Sequence, residues 1–128
     1  MPDKHLFEYA VVRLVPRVER EEFLNVGVIV YCRDLGFLKT RYQLPEERLR
    51  AFGGGELDLE ELRERLRVFE RICQGRPDGG TIGRLSPAER FRWLTAARST
   101  VVQTSAVHPG LCFDAAHTLD RLYEQLVS

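Results

Sequence analysis

The stretch FEYAVVRLVPRVEREEFLNVGVIVYC, residues 7–32, decides the fold of this chain. Its two apolar halves are rich in valine, whose branching at Cβ favours extended structure, and a charged segment separates them. This arrangement predicts two β-strands, over about 6–15 and 23–32, that fold back on each other as a hairpin. Both faces of the second strand are mostly apolar, which indicates a central strand covered on both sides.

Alternation along 23–32 predicts which side chains share a face of the sheet. One face carries Leu24, Val26, Val28, Val30 and Cys32, and the other carries Phe23, Asn25, Gly27, Ile29 and Tyr31. On the first strand, Arg13 shares a face with Tyr9 and Val11. Pairing of the two strands would then bring the guanidinium of Arg13 and the carboxamide of Asn25 to a common side.

Outside the hairpin, the sequence predicts two further strands and a mainly helical second half. Residues 37–42 alternate as a half-exposed strand, and residues 100–107 form a fourth candidate. Helical periodicity covers 45–52, 59–74, 87–97 and the residues after Asp114. His108-Pro109-Gly110 is expected to turn the chain.

These elements predict a single α+β domain over residues 1–128. We expect an antiparallel sheet of about four strands, three of them N-terminal and one near 100–107, with helices packed mainly on one face.

Composition excludes several classes of protein. Nineteen basic and nineteen acidic residues balance, so nucleic-acid binding is not expected, and the low net charge favours a homodimer. The three cysteines contain no C-x-x-C pair and indicate reduced, buried thiols without a cofactor. MPDKHLFEYA, residues 1–10, lacks the apolar core of a signal peptide, and no stretch is long enough to span a bilayer. We therefore expect a cytoplasmic protein.

Arg13, Asn25 and Gly27 are the first candidate ligand-binding residues, because strand cores seldom carry such residues. The planar fork of an arginine suits phosphate or carboxylate, and glycine permits close approach of a ligand. A structural explanation stays open. Arg13 could pair with Glu22 or with a helix C-terminus, Asn25 could hold the turn, and Gly27 could form a bulge.

A second candidate group follows the helix over 87–97 and flanks the fourth strand. It consists of Arg98, Ser99, Thr104, Ser105 and His108. Arg98 with the hydroxyls could bind an anion, or His108 could act as a general base for Ser105. No acid is spaced to orient the histidine, and the alternative explanation is polar residues at a helix end with a turn histidine before a proline.

His108, Cys112 and His117 are spaced irregularly for zinc, and the set lacks a fourth ligand unless His5 supplies it. No metal site is predicted.

Arginines 84, 90, 92 and 98 give the segment 84–98 a basic bias around Phe91 and Trp93. Trp93 is expected in the core. The arginines indicate a solvated face, or else a contact for an acidic partner surface or a nucleic-acid backbone.

The motifs Y-x-x-x-R-x-V-P (9–16) and E-F-x-N-V-G-V (22–28) resemble the opening of a bacterial family catalogued as domain of unknown function 3037. The stretch WLTAARSTVVQTS (93–105) is similar to the second half of that family. The family has no established activity, so the resemblance implies no catalytic residues. It implies a bacterial, cytosolic, single-domain protein. Members are often encoded beside kinases of the HipA toxin type, which implies such a kinase as a protein partner.

Three functions from different classes remain open. The leading one is a non-catalytic binding or regulatory module for a protein partner. The second is a small enzyme or a ligand-binding domain for a phosphate-bearing molecule, and the third is a self-associating structural protein that uses an exposed sheet edge. A pocket in which Arg13 and Arg98 converge would favour the second.

Overall fold

The computed structural model describes residues 3–15, 23–53, 58–75, 79–98 and 100–127 of the 128-residue chain. The strands are β1 (His5–Leu14), β2 (Leu24–Cys32), β3 (Phe37–Tyr42), β4 (Val102–Thr104) and β5 (His108–Cys112). The helices are α1 (Glu46–Gly53), α2 (Leu59–Gln74), α3 (Gly80–Gly83), α4 (Pro87–Leu94) and α5 (Ala115–Leu126). The predicted α+β class and the antiparallel sheet are confirmed, with five strands among the described residues.

The sheet has the order β3-β2-β1-β4, and β5 also pairs with β1. The short strands β4 and β5 therefore share one side of β1. β4 lies beside Val12–Leu14, and β5 lies beside His5–Tyr9, both antiparallel to β1.

The predicted turn at residues 108–110 is wrong, because these residues begin β5. Pro109 cannot donate to a ladder, but β5 is an edge strand, where proline is tolerated. Gly110 is needed for a different reason. A Cβ there would lie 2.6 Å from the ring of Phe7 on the neighbouring strand.

Two cores lie on opposite faces of the sheet. The larger one joins α1, α2 and α4 to the sheet through buried residues that include Ala10, Val12, Leu14, Leu49, Leu66 and Phe91. The smaller one joins α5 to Phe7, Val28, Val30, Cys32 and Cys112. β2 is covered on both faces, as its sequence predicts.

A bulge in β2 changes the phase of the strand. Val12 pairs with Gly27, but Arg13 pairs with Asn25, so Val26 is one extra residue. Leu24 and Val26 consequently pack in the larger core with Ile29 and Tyr31, whereas Val28, Val30 and Cys32 pack against α5. The uninterrupted alternation predicted for 23–32 is wrong because one inserted residue moves the side chains beyond it to the other face.

Helices α2, α4 and α5 begin at the predicted caps. Asp58 accepts a hydrogen bond from the backbone N–H of Glu61, and Ser86 and Asp114 cap α4 and α5 in the same way. Gly75 ends α2 in the left-handed conformation, with φ 72°. No helix in the described ranges combines the length and the apolar character needed to cross a bilayer.

Candidate binding groove

Arg13 and Asn25 lie directly opposite each other on β1 and β2. Directly opposed residues of an antiparallel pair share a face, so the two side chains lie on the same side of the sheet. Tyr9 lies four residues before Arg13 on β1, so its side chain lies on the same face of the sheet. Tyr9 packs against the smaller core, so Arg13 and Asn25 lie on the face that α5 covers. The structure thus brings these two residues together, while their role in binding a ligand stays a prediction.

Gln103 on β4 pairs with Arg13 from its other side. A polar row, Asn25–Arg13–Gln103, therefore crosses three strands. No local pattern in the sequence marks Gln103, because its neighbour across the sheet is 90 residues away along the chain.

Two side chains of the polar row, Asn25 and Arg13, contact other groups of the protein. The Asn25 Nδ2 donates to the carbonyl of Leu126 at 3.2 Å, which ties the last turn of α5 to the sheet. The Arg13 guanidinium stacks over the Phe23 ring, with its Cζ 4.2 Å from the ring centroid. Among the described residues, two buried atoms of this row, Arg13 Nε and Asn25 Oδ1, have no hydrogen-bond partner. Glu22, the alternative partner expected for Arg13, lies outside the described residues.

Gly27 is explained by close approach of the neighbouring strand. A Cβ on this residue would lie 2.6 Å from Tyr42 Cβ and 2.7 Å from the Arg41 carbonyl oxygen. The space beside Gly27 is therefore filled by β3 and is not available to a ligand.

Ser105 is buried and both of its hydrogen-bonding functions are used. Its Oγ accepts from the Val11 N–H at 2.8 Å and donates to the Ala106 carbonyl at 2.9 Å. His108 is exposed on β5 and lies against Tyr9, with ring centroids 5.4 Å apart. In the part of the chain that the structure describes, no hydrogen bond joins His108 to Ser105, so the two form no nucleophile–base pair. Ser99 lies outside the described residues.

Arg98 and Thr104 line a groove of about 310 Å³ between α2, α4 and the edge strand β4. Its floor consists of the buried side chains of Phe69, Ile72 and Leu94. We call this cavity, with its lining from α2, α4 and β4, the edge groove.

Val68 and Trp93 stand at the edge groove and remain 40% and 38% exposed. The predicted core position of Trp93 is wrong. α4 buries Phe91 and Leu94, three residues apart on one face, and Trp93 lies off that face. The result is an exposed aromatic ring beside an apolar cavity.

Arg98 supplies the half-buried charge of the edge groove. Its guanidinium stacks over the Trp93 ring, with Cζ 3.8 Å from the centroid, and donates to the Trp93 carbonyl. Burial lowers the pKa of Arg98 from its ordinary value. No ion pair joins Arg98 to a carboxylate among the described residues. Glu64 also lines the groove, but its carboxylate lies 3.7 Å from Arg67 and 3.5 Å from Arg71.

Two other arginines of the basic segment, Arg90 and Arg92, make contacts elsewhere. Arg90 donates to the Leu85 carbonyl at 2.7 Å. Arg92 makes a two-pronged contact with the Glu8 carboxylate at 2.8 and 2.9 Å, which raises the pKa of Arg92. Arg13 does not line the edge groove. The convergence of Arg13 and Arg98, which would have favoured a phosphate site, is not formed there.

A second cleft, of about 590 Å³, lies between α4 and the ends of β1 and β2. It contains the Arg92–Glu8 pair, and its Asp34 lies 3.6 Å from His5 Nδ1. Since the Arg92–Glu8 pair already compensates its own charges, the cleft offers less to a ligand than the edge groove does.

The three cysteines are buried and form no disulfide bond with one another. Burial raises the pKa of Cys73 to about 12 and also raises that of Cys112. Within the described residues, no group of three or more His, Cys, Asp and Glu side chains could hold a metal ion.

A family model described as "Protein of unknown function (DUF3037)" matches residues 9–127. The chain belongs to this family. The match includes both sequence motifs of the hairpin and the elements α2, α4 and β4 that line the edge groove. No curated protein and no solved structure matches the chain. Because the family description names no activity, the functional argument depends on the geometry of this chain.

Proposed function

We propose that the chain is a non-catalytic binding module whose edge groove receives an apolar segment of a protein partner. The observation that carries the proposal is the pair of exposed apolar side chains, Val68 and Trp93, beside a cavity with a buried apolar floor. Grouped exposed apolar side chains around a concavity are typical of binding sites.

The chemistry of the described side chains supports binding rather than catalysis. The Ser105 hydroxyl is buried and hydrogen-bonded to the backbone on both sides. The Cys73 thiol has a pKa of about 12, and a nucleophilic cysteine requires a lowered pKa.

The candidate partner is a kinase of the HipA type, as the family resemblance implies. In this proposal the module acts as an accessory or regulator of that kinase in the bacterial cytoplasm.

A second candidate function is the binding of a small phosphate-bearing molecule. The volume of the edge groove lies at the lower end of the range for small-molecule sites, which begins at about 300 Å³. The half-buried guanidinium of Arg98 is the observation that favours this alternative.

A third candidate function is self-association into a homodimer. Leu6 and Leu111 face each other across β1 and β5 and are 60% and 63% exposed. Phe113, next to β5, is 55% exposed. Pro109 restricts strand addition at this edge, so the exposed side chains rather than the backbone favour this function. Sedimentation equilibrium of the parent and of Leu111→Glu separates it from the others.

Binding of the purified HipA-type kinase from the same genome, measured by calorimetry, tests the leading proposal. Val68→Glu places a charge at the edge groove, and Leu35→Glu places the same charge on a similarly exposed residue outside it. We expect Leu35→Glu to bind like the parent and Val68→Glu to bind at least about tenfold more weakly, since a charged carboxylate would replace apolar surface within the contact. Equal affinity of all three chains would contradict the proposed site, and lack of binding by the parent would exclude this partner.

A further inference from the structure

We propose, on the basis of the proposed function, that the occupant of the edge groove is an extended acidic segment. It adds as a strand to the free edge of β4, places an apolar side chain against Val68 and Trp93, and pairs an Asp or Glu two residues away with Arg98.

The backbone of β4 leaves hydrogen-bonding groups open at the edge of the sheet. The Val101 carbonyl accepts from the Val15 N–H at 2.7 Å, and the Ser105 N–H donates to the Val11 carbonyl at 2.9 Å. Backbone groups of alternate residues point to the same side of a strand, so those of Val102 and Thr104, which lie between, point away from β1.

One of these outward groups is already used, because the Val102 carbonyl accepts from the Thr100 hydroxyl at 2.7 Å. β4 pairs with no strand except β1 among the described residues. The N–H and the carbonyl of Thr104 are therefore both open to the same incoming residue. An extended residue, with its own N–H and carbonyl, satisfies both, which favours strand addition at this edge.

The side chains of Val102 and Thr104 line the edge groove. A strand added beside β4 directs every second side chain to this same face, with successive ones about 6.5–7 Å apart. One such side chain can therefore lie on the exposed apolar pair while the next reaches the neighbouring guanidinium.

Arg98 determines the chemistry of that second side chain. Its guanidinium is half-buried, stacked on Trp93, and forms no ion pair with a carboxylate of the described residues. Among the described residues, this guanidinium donates one hydrogen bond, to the Trp93 carbonyl, although the group carries five N–H donors. A carboxylate fits this geometry and compensates a charge that burial disfavours.

A displayed library of heptapeptides, acetylated and amidated in the resynthesised probes, tests the inference. We expect the parent to select sequences with a large apolar residue two positions from Asp or Glu. In fluorescence polarisation, replacing that acid by its amide should weaken binding about tenfold, and Arg98→Gln should bind the acid and amide peptides equally. Arg98→Lys keeps the positive charge without the planar guanidinium that stacks on Trp93. If it retains part of the preference for the acid peptide over the amide peptide, the preference depends on charge pairing and not on the Trp93 stack.

Selected peptides without an acid, or an unchanged acid preference in Arg98→Gln, would overturn the inference. Tighter binding of peptides with a free C-terminal carboxylate would indicate that Arg98 binds the carboxylate at the end of a chain instead of an Asp or Glu side chain. N-methylation of the residue opposite Thr104 should abolish binding, and unchanged affinity would exclude strand addition. If no peptide is selected while Val68→Glu still weakens kinase binding, this inference fails and the proposed function stands.

Discussion

Replacing Gly27 by alanine tests whether this glycine serves the packing of strands. The added Cβ would lie 2.6 Å from Tyr42 Cβ and 2.7 Å from the Arg41 carbonyl oxygen, both on β3. Neither neighbour is the flexible end of a side chain, so β3 must move away from β2. The pairing of Gly27 with Tyr42 begins the β2–β3 ladder, and we expect this end of the ladder to open.

Overpacking of this kind costs about 1–3 kcal/mol, and the backbone contact places Gly27→Ala near the upper end, at about 3 kcal/mol. At about 2.1 cal/mol/K of unfolding entropy per residue, a domain of 128 residues then loses roughly 11 °C in Tm. Urea denaturation and a thermal melt followed by circular dichroism measure the two quantities.

Gly36→Ala is the matched control. Gly36 has φ 59° and no heavy atom within 4 Å of an added Cβ, so only the left-handed backbone is disfavoured there. That cost is about 1 kcal/mol, or roughly 4 °C. If Gly27→Ala were no less stable than Gly36→Ala, the argument from the β2–β3 spacing would be refuted.

Three further changes test the structural assignments. Arg13→Ala should lower the free energy of unfolding by about 1–2 kcal/mol in urea, because the stack on Phe23 and the packing of the arginine stem are lost. Ser105→Ala should cost about 2 kcal/mol, because the Val11 N–H loses the hydroxyl acceptor within a buried site, and a fluorophosphonate probe should not label the parent. Burial raises the pKa of the Cys73 thiol from 9.0 to about 12, so the unfolded chain releases this proton at a lower pH than the folded chain does. The free energy of unfolding should therefore fall between about pH 9 and pH 12, by up to about 1.4 kcal/mol per pH unit. Cys73→Ala should flatten that slope.

Each of these has a result that would count against it. Arg48→Ala, on the exposed part of α1, is the control for Arg13→Ala, and equal midpoints for the two variants would show that Arg13 is not structural. Labelling of Ser105 together with unchanged stability of Ser105→Ala would indicate a nucleophile. An alkaline slope that persists in Cys73→Ala would assign the titration to another group.

The hairpin could be predicted from the sequence because its valines and its polar separator are local signals. The helix caps at Asp58, Ser86 and Asp114 were predictable for the same reason. The bulge at Val26 could not be predicted, since an inserted residue changes the phase of a strand without changing its composition.

Other features depend on neighbours that are distant along the chain. Pro109 and Gly110 are typical of a turn, and only their place on an edge beside Phe7 makes them a strand. Trp93 is exposed because α4 buries the face that carries Phe91 and Leu94. The edge groove joins residues from α2, from the end of α4 and from β4, so no single stretch of sequence marks it.

The most direct measurement of the central claim uses Trp93, the single tryptophan of the chain. A chain labelled with fluorotryptophan gives one fluorine resonance, which can be followed by NMR while the unlabelled kinase or a selected peptide is added. We predict that this resonance shifts with the same affinity that calorimetry reports, and that Val68→Glu weakens both together. Binding by calorimetry that leaves the Trp93 resonance unmoved would contradict the claim that the edge groove is the binding site.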